Sequence, residues 1–124
     1  MENIFGPHVM IDIKQCDKLA ISNRELIFDI LNELPELMGM TKIAPPYVFP
    51  YNGLVPEDKG ITGVVIIAES HLTIHTFTEK DYVFVDMFSC KNFDTKRAID
   101  YIIKKFESKS HKVRVVERGL DFPR

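Results

Sequence analysis

Residues 60–89 read GITGVVIIAESHLTIHTFTEKDYVFVDMFS and contain three strand patterns in close succession. Gly60–Ala68 includes an unbroken run of β-branched residues, which predicts a central strand. His71–Phe77 alternates, so its odd-numbered residues share one face and its even-numbered residues share the other. Tyr82–Ser89 predicts a third strand after a turn at residues 79–81. Strands joined so closely predict a mainly antiparallel sheet.

Two helix patterns lie outside this region. Ser22 and Glu25 form a capping box before a first helix, and Pro35 is expected to end or kink it. Asp94 is expected to cap a second helix. The apolar stripes are Leu26, Ile27, Ile30, Leu31 and Leu34 in the first helix and Ala98, Ile99, Ile102, Ile103 and Phe106 in the second.

Further strands are predicted at both ends of the chain. Gly6–Ile13 alternates as a half-buried strand does, and Val113–Val116 supplies a last strand. The proline-rich stretch Lys42–Lys59 predicts an edge strand or an extended loop. The order β-α-β-β-β-β-α-β predicts an α+β fold, a two-layer α/β sandwich with a mainly antiparallel sheet and two helices on one face. Residues 1–124 are expected to form a single domain.

Composition excludes several classes of function. The 124 residues are 45% hydrophobic and 27% charged, and the net charge of −2 argues against a nucleic-acid partner. No apolar run reaches the roughly 20 residues that cross a bilayer, and the opening Met-Glu-Asn-Ile lacks the regions of a signal peptide. We therefore expect a cytoplasmic protein without a membrane partner. Two cysteines, Cys16 and Cys90, are too few for a disulfide framework.

Polar side chains are dense in the octapeptide ESHLTIHT of residues 69–76. Ser70 is expected at a strand-to-strand junction, where strain can favour addition of its hydroxyl to the Glu69 carbonyl. The amide then becomes an ester, whose elimination leaves dehydroalanine and afterwards a pyruvoyl group at residue 70. This chemistry needs a general acid or base and an oxyanion donor, and His75 is the first candidate. From the residues alone, the more common case is that such serine and histidine side chains form ordinary hydrogen bonds and have no catalytic role.

The octapeptide, the preceding Gly60–Val65 and the following Asp86–Cys90 closely resemble the pyruvoyl-dependent prokaryotic S-adenosylmethionine decarboxylase family. Gly6–His8 and the pair at residues 16–17 also fit, so the resemblance covers most of the chain. It implies a proenzyme that cleaves itself between residues 69 and 70. The products would be a β chain of residues 1–69 and an α chain of residues 70–124.

The resemblance also assigns roles to individual side chains. Ser70 becomes the pyruvoyl cofactor, and His75 matches the histidine that assists proton removal during cleavage. Thr62 stands where the family usually has a serine, so we expect cleavage at a lower rate. Cys90 matches the proton donor of the decarboxylation. The alternative for a free cysteine is a small buried hydrophobe, which is the role expected for Cys16.

The implied reaction follows ordinary carbonyl chemistry. An α-amino acid condenses with the pyruvoyl ketone as a Schiff base, and the adjoining carbonyl accepts the electrons left when CO₂ departs. The proton must then reach the substrate Cα, because protonation at the pyruvoyl carbon would transaminate and inactivate the enzyme. A thiol is mostly protonated at neutral pH and can supply that proton.

The substrate and metal predictions rest on side-chain chemistry. S-adenosylmethionine presents an adenine and a sulfonium, both of which favour aromatic faces. Phe77, Phe49 and Tyr47 are the expected aromatic contacts, and Glu69 is a further expected substrate-binding residue. No metal is expected, because residues 71 and 75 lie about 13 Å apart along a strand, too far for two histidines to share an ion.

The sequence is also compatible with other functions. Asn52–Lys59 departs from the commoner bacterial pattern, so the substrate could instead be arginine or ornithine, with Glu57, Asp58 or Asp12 as a carboxylate partner. A further alternative is an uncleaved, non-catalytic binding or regulatory protein. By analogy with the family, we expect a homodimer of cleaved protomers whose sites lie near the interface. If the substrate is S-adenosylmethionine, the decarboxylated product would supply aminopropyl groups for spermidine biosynthesis.

Overall fold

The computed structural model describes residues 4–124, so residues 1–3, on which part of the signal-peptide argument rests, lie outside the described residues. The strands are β1 (Gly6–Lys14), β2 (Thr41–Lys42), β3 (Tyr47–Tyr51), β4 (Gly60–Ala68), β5 (Ser70–Phe77), β6 (Tyr82–Ser89) and β7 (Ser110–Arg118). The helices are α1 (Lys18–Ile21), α2 (Arg24–Leu37) and α3 (Thr95–Phe106), and one 3₁₀ turn spans Pro56–Asp58.

The strands form one antiparallel sheet in the order β2-β4-β5-β6-β1-β7, and β3 also pairs with β4. The buried faces of α2 and α3 pack into one apolar core with one face of this sheet. The predicted α+β two-layer sandwich is therefore confirmed. Within the proline-rich stretch, β3 is an edge strand, as predicted, since β4 is its pairing partner.

The start of α2 differs from the prediction. Asn23, not Ser22, is the N-cap, and its side chain accepts a hydrogen bond from the backbone N–H of Leu26 at 3.1 Å. Ser22 is unavailable as a cap because it already ends α1, a short helix that the sequence pattern did not reveal. Pro35 also does not end α2, which continues to Leu37, because proline lacks only its own N–H and the Met38 N–H still donates to the Leu34 carbonyl at 3.0 Å.

Alternation along the strands separates a covered face from an open face. The covered face carries Val9, Ile11, Ile13, Val65, Ile67, Leu72, Ile74, Val83, Val85 and Met87, all nearly inaccessible to solvent. Gly63 lets α2 approach this face closely, because a Cβ there would lie 2.6 Å from the Leu31 side chain. In the part of the chain that the structure describes, no helix packs on the open face, where Ile66 and Phe84 are 46% and 41% exposed.

None of the helices in residues 4–124 is both long enough and apolar enough to cross a bilayer.

Candidate active site

The first cluster of predicted residues forms a row across the open face. Strand pairing places Phe49 opposite Thr62, Thr62 opposite His75, and His75 opposite Phe84. The Thr62 Oγ1 and His75 Nδ1 atoms lie 3.3 Å apart. A hydroxyl bound to Nδ1 orients the imidazole and leaves Nε2 as the nitrogen able to exchange a proton with a substrate. The two side chains thus form a hydroxyl–imidazole pair.

The second cluster lies at the junction between β4 and β5. Ser70 has a φ of 140°, a conformation that costs a residue with a Cβ roughly 1–3 kcal/mol. The Glu69 backbone N–H donates a hydrogen bond to Cys90 Sγ at 3.2 Å. Cys90 is there because β6 pairs with β5, with Ser89 opposite Ser70, and ends one residue earlier. The structure therefore places Cys90 beside the Glu69–Ser70 junction.

The two clusters are separated within one chain. His75 follows Ser70 by five residues on β5, which is about 16 Å at about 3.3 Å per residue. An odd separation also places the two side chains on opposite faces of the strand. The structure therefore does not bring His75 and Thr62 to the Ser70 of their own protomer.

A pocket of about 360 Å³ lies beside the Thr62–His75 pair. Its lining is Phe49, Tyr51, Leu54, Asp58, Gly60, Thr62, His75, Thr76 and Phe77. Two of the predicted aromatic contacts, Phe49 and Phe77, are present, whereas Tyr47 lies outside the lining, 66% exposed, with its ring 5.2 Å from that of Phe49. A larger hollow of about 660 Å³ next to it has no aromatic or histidine lining. We therefore assign the smaller pocket as the site.

Loop residues in this pocket were not predicted as contacts for S-adenosylmethionine. Leu54 comes from the stretch between β3 and β4, whose path no periodic pattern specifies. Asp58 from the same stretch was a candidate partner for a cationic substrate, but its carboxylate pairs with the Lys80 ammonium. Glu57 lines only the neighbouring hollow, and Asp12 lies on β1 opposite Phe84.

Two histidines surround Phe88 close to the Ser70 end of the sheet, and the sequence analysis did not assign them a role. The rings of His8 and His71 lie 5.5 and 5.9 Å from that of Phe88. His8 Nε2 also lies 3.5 Å from an Asp86 carboxylate oxygen, which is too long for a good hydrogen bond. The alternation of each strand places both histidines on the open face. They meet because of the register between the strands, which the pattern of a single strand does not contain.

The remaining cysteine is part of the core, as expected. Burial, reinforced by the nearby Asp81 carboxylate, raises the pKa of Cys16 to about 12. A thiol held in its protonated form is a poor nucleophile. Among the described residues, no group of three or more histidine, cysteine or acidic side chains could hold a metal ion.

Comparison with known proteins identifies the chain. Residues 7–119 match the family model described as S-adenosylmethionine decarboxylase. The S-adenosylmethionine decarboxylase proenzyme of Pyrococcus furiosus is 32% identical over 117 residues, which are 94% of this chain and 80% of that protein. The corresponding proenzyme of Caldicellulosiruptor saccharolyticus is 36% identical over 116 residues, covering 93% and 89%. The crystal structure of the adenosylmethionine decarboxylase from Aquifex aeolicus superposes with a TM-score of 0.79 at 32% identity, covering 94% of this chain and 92% of that one.

These similarities, on this fold, define the chain as an enzyme of the carboxy-lyase class. It belongs to the S-adenosylmethionine decarboxylase family, as the octapeptide around Ser70 predicted.

Proposed function

We propose that the chain is a proenzyme that cleaves itself between Glu69 and Ser70 and then decarboxylates S-adenosylmethionine. The contact between Cys90 Sγ and the Glu69 N–H carries this proposal, because it sets a proton donor beside the expected cleavage point. The strained φ of Ser70 supports it as well, since opening the chain there releases that strain. The products are residues 1–69 and 70–124, which stay together because both contribute strands to one sheet.

The cleavage begins when Ser70 Oγ attacks the Glu69 carbonyl carbon and the peptide C–N bond breaks, leaving an ester. Elimination of the Glu69 carboxylate then gives dehydroalanine at residue 70, and addition of water with loss of ammonia gives the pyruvoyl group. A base must accept the serine proton and a donor must hold the developing oxyanion. The Thr62–His75 pair has both kinds of group, an imidazole and a hydroxyl, 3.3 Å apart.

The chain's own residues fit the pyruvoyl group. Ser70 supplies its atoms, and the group then stands at the free end of β5, next to the Cys90 thiol. When formed, the pyruvoyl group supplies a ketone that binds the substrate amine and an electron sink for the bond to CO₂. Cys90 holds the proton that the substrate Cα receives.

We also propose that the enzyme is a homodimer in which the Thr62–His75 pair of one protomer assists cleavage at the Ser70 of the other protomer. The separation of about 16 Å along β5 supports this proposal, because it is too long for His75 to reach the Ser70 of its own chain. Two copies packed through their open faces about a two-fold axis would place the His75 end of one sheet against the Ser70 end of the other. Such packing would also bury Ile66 and Phe84, which are half-exposed in the single protomer.

The aromatic pocket favours S-adenosylmethionine over arginine or ornithine. Phe49 and Phe77 offer faces for the adenine ring and the sulfonium. A guanidinium or ammonium substrate needs an uncompensated carboxylate, whereas Asp58, the acidic residue of the pocket lining, already pairs with Lys80. The product of this reaction is decarboxylated S-adenosylmethionine, an aminopropyl donor for spermidine biosynthesis.

Release of labelled CO₂ tests the proposed substrate. The purified protein is incubated separately with carboxyl-labelled S-adenosylmethionine, arginine and ornithine, with the Ser70→Ala variant as a matched control. We expect release from S-adenosylmethionine alone and no release by the variant. Release from a basic amino acid would overturn the proposed substrate. No release from any of the three would overturn the proposal that the chain is an active decarboxylase.

A further inference from the structure

The residues that follow β7 fold back over the start of β1. We call residues 119–124 the strap. The Phe5 backbone N–H donates to the Gly119 carbonyl at 3.1 Å, and the Phe5 ring packs edge-on against Phe122 with centroids 4.9 Å apart. Gly119 has a φ of +71°, and a Cβ there would lie 2.4 Å from that of Phe5. Only glycine permits the backbone at residue 119 to come this close to Phe5, so Gly119 allows the strap to pack against the start of β1.

Arg124 is the residue through which the strap reaches the active site. Its Nη2 donates to the carbonyl oxygens of Phe5 at 2.7 Å and of Cys90 at 3.1 Å, with Ile4 at a longer 3.4 Å. The two hydrogens of Nη2 serve the two short contacts. The guanidinium also lies over the rings of Phe5 and Phe122, at 5.6 and 5.5 Å. Hydrogen bonds from a charged donor are stronger than those between neutral groups.

Cys90 depends on these contacts because it lies beyond the end of β6. Regular structure resumes only at Thr95, where α3 begins. Cys90 is held at its sulfur by the Glu69 N–H and at its carbonyl by Arg124. Loss of the carbonyl contact would leave Cys90 less firmly held, with the Glu69 N–H still bound to its sulfur.

We propose that Arg124 is a positioning residue that fixes Cys90 so that its proton reaches the substrate Cα. This inference rests on the function proposed above. The family model matches residues 7–119, so residues 120–124 of the strap lie outside the matched region. Correct transfer breaks the S–H bond of Cys90 and forms a C–H bond at the substrate Cα, and solvent then restores the thiol proton.

Misplaced transfer has a chemical signature. A C–H bond then forms at the Cα of residue 70, the substrate nitrogen stays on that residue, and water releases the decarboxylated remainder as an aldehyde. Residue 70 becomes alanine. An alanine at the start of the α chain can be sequenced from its free amine, whereas a pyruvoyl group blocks sequencing.

The first test compares Arg124→Ala and Arg124→Lys with Arg97→Ala. Arg97 is the control because its guanidinium also donates to a backbone carbonyl, but to that of Leu37 at 3.4 Å rather than to that of Cys90. After equal turnovers, we expect about tenfold more alanine-started α chain from Arg124→Ala than from the parent, the effect of losing one charge-assisted hydrogen bond. Arg124→Lys should restore part of the loss, and Arg97→Ala should match the parent. A parent-like alanine fraction in Arg124→Ala would overturn the proposal.

The second test does not depend on cleavage or turnover. In the Ser70→Ala chain, with and without Arg124→Ala, the rate of Cys90 alkylation by iodoacetamide is followed by peptide mass. We expect alkylation of Cys90 about tenfold faster without Arg124, from the same lost hydrogen bond, and no change at buried Cys16. An unchanged Cys90 rate would overturn the positioning role even if the enzyme cleaves and turns over as proposed. A faster Cys90 rate without Arg124, together with a parent chain that keeps Ser70 and never cleaves, would support the contact between Arg124 and Cys90 and overturn the proposed function. If Arg124→Ala fails to fold, Arg124→Gln replaces it in both tests.

Discussion

Cys90 and Cys16 have the same side chain and opposite surroundings. Cys90 lies at a strand end, partly exposed, with its sulfur against the Glu69 N–H. Cys16 is 7% exposed, and its thiol points to the Ile13 carbonyl at 3.7 Å. Cys16 is a packing residue, whereas the contacts of Cys90 fit the proton donor proposed above, and this difference leads to one prediction for each.

Replacing Cys90 with alanine should separate cleavage from turnover. We expect Cys90→Ala to cleave at residue 69, because its thiol is not the nucleophile of that step. Its kcat should fall by about 100-fold or more, the usual contribution of a general acid, and it should inactivate during turnover. Labelled CO₂ release and the mass of the α chain measure both effects. Turnover at the parent rate would remove Cys90 from the mechanism.

Replacing Cys16 with alanine should change how stability depends on pH. Burial raises the pKa of the Cys16 thiol from its ordinary value of 9.0 to about 12, so its contribution to stability is complete below pH 9 and is lost as the pH rises toward 12. Urea midpoints measured from neutral pH to about pH 10 should fall more steeply for the parent than for Cys16→Ala. Equal slopes would show that Cys16 is not held protonated.

Two adjacent isoleucines of β4 lie on opposite faces of the sheet, and replacing each in turn tests the proposed dimer. Ile67 is 2% exposed beneath the helices, whereas Ile66 is 46% exposed on the open face. Ile67→Ala should lower the free energy of unfolding by about 2–5 kcal/mol, the usual effect of such a cavity. Ile66→Ala should leave the protomer nearly as stable and weaken dimerisation, measured by sedimentation against concentration. Similar losses of protomer stability in both variants would contradict the assignment of faces.

Local patterns predicted the elements of this fold better than their contacts. Alternation in β5 gave its two faces, and Asp94 was recognised as the cap of α3, because both features depend on neighbours in sequence. The cap of α2 was misplaced by one residue because two adjacent polar residues could each fill that role. Phe49, Thr62 and His75 meet through the register of three strands, which single-strand patterns do not contain.

At the scale of the whole molecule, the proposed site needs two chains. The octapeptide puts Ser70 and His75 in one motif, and only the strand geometry shows that they lie about 16 Å apart. In the homodimer proposed above, these two residues of one motif would belong to different active sites. In such an assembly each protomer contributes a cleavage junction to one site and a hydroxyl–imidazole pair to the other.

Mixing two inactive variants tests this exchange. Ser70→Ala cannot be cleaved but keeps Thr62 and His75, whereas His75→Ala keeps Ser70 and should cleave very slowly alone. When the two are unfolded together and refolded, we expect the His75→Ala chain to be cleaved by its partner, up to the fraction present in mixed dimers. Gel analysis of tagged chains measures this fraction. If the His75→Ala chain cleaves no faster in the mixture, His75 acts on the Ser70 of its own chain and the proposed exchange between protomers is wrong.

The mass of the purified protein, before and after reaction with an amine and borohydride, tests self-cleavage most directly. We expect two fragments, residues 1–69 and residues 70–124, with the amine added only at residue 70 of the second. A single, unmodified 14.3 kDa chain that persists on prolonged incubation would contradict the formation of a pyruvoyl group from Ser70.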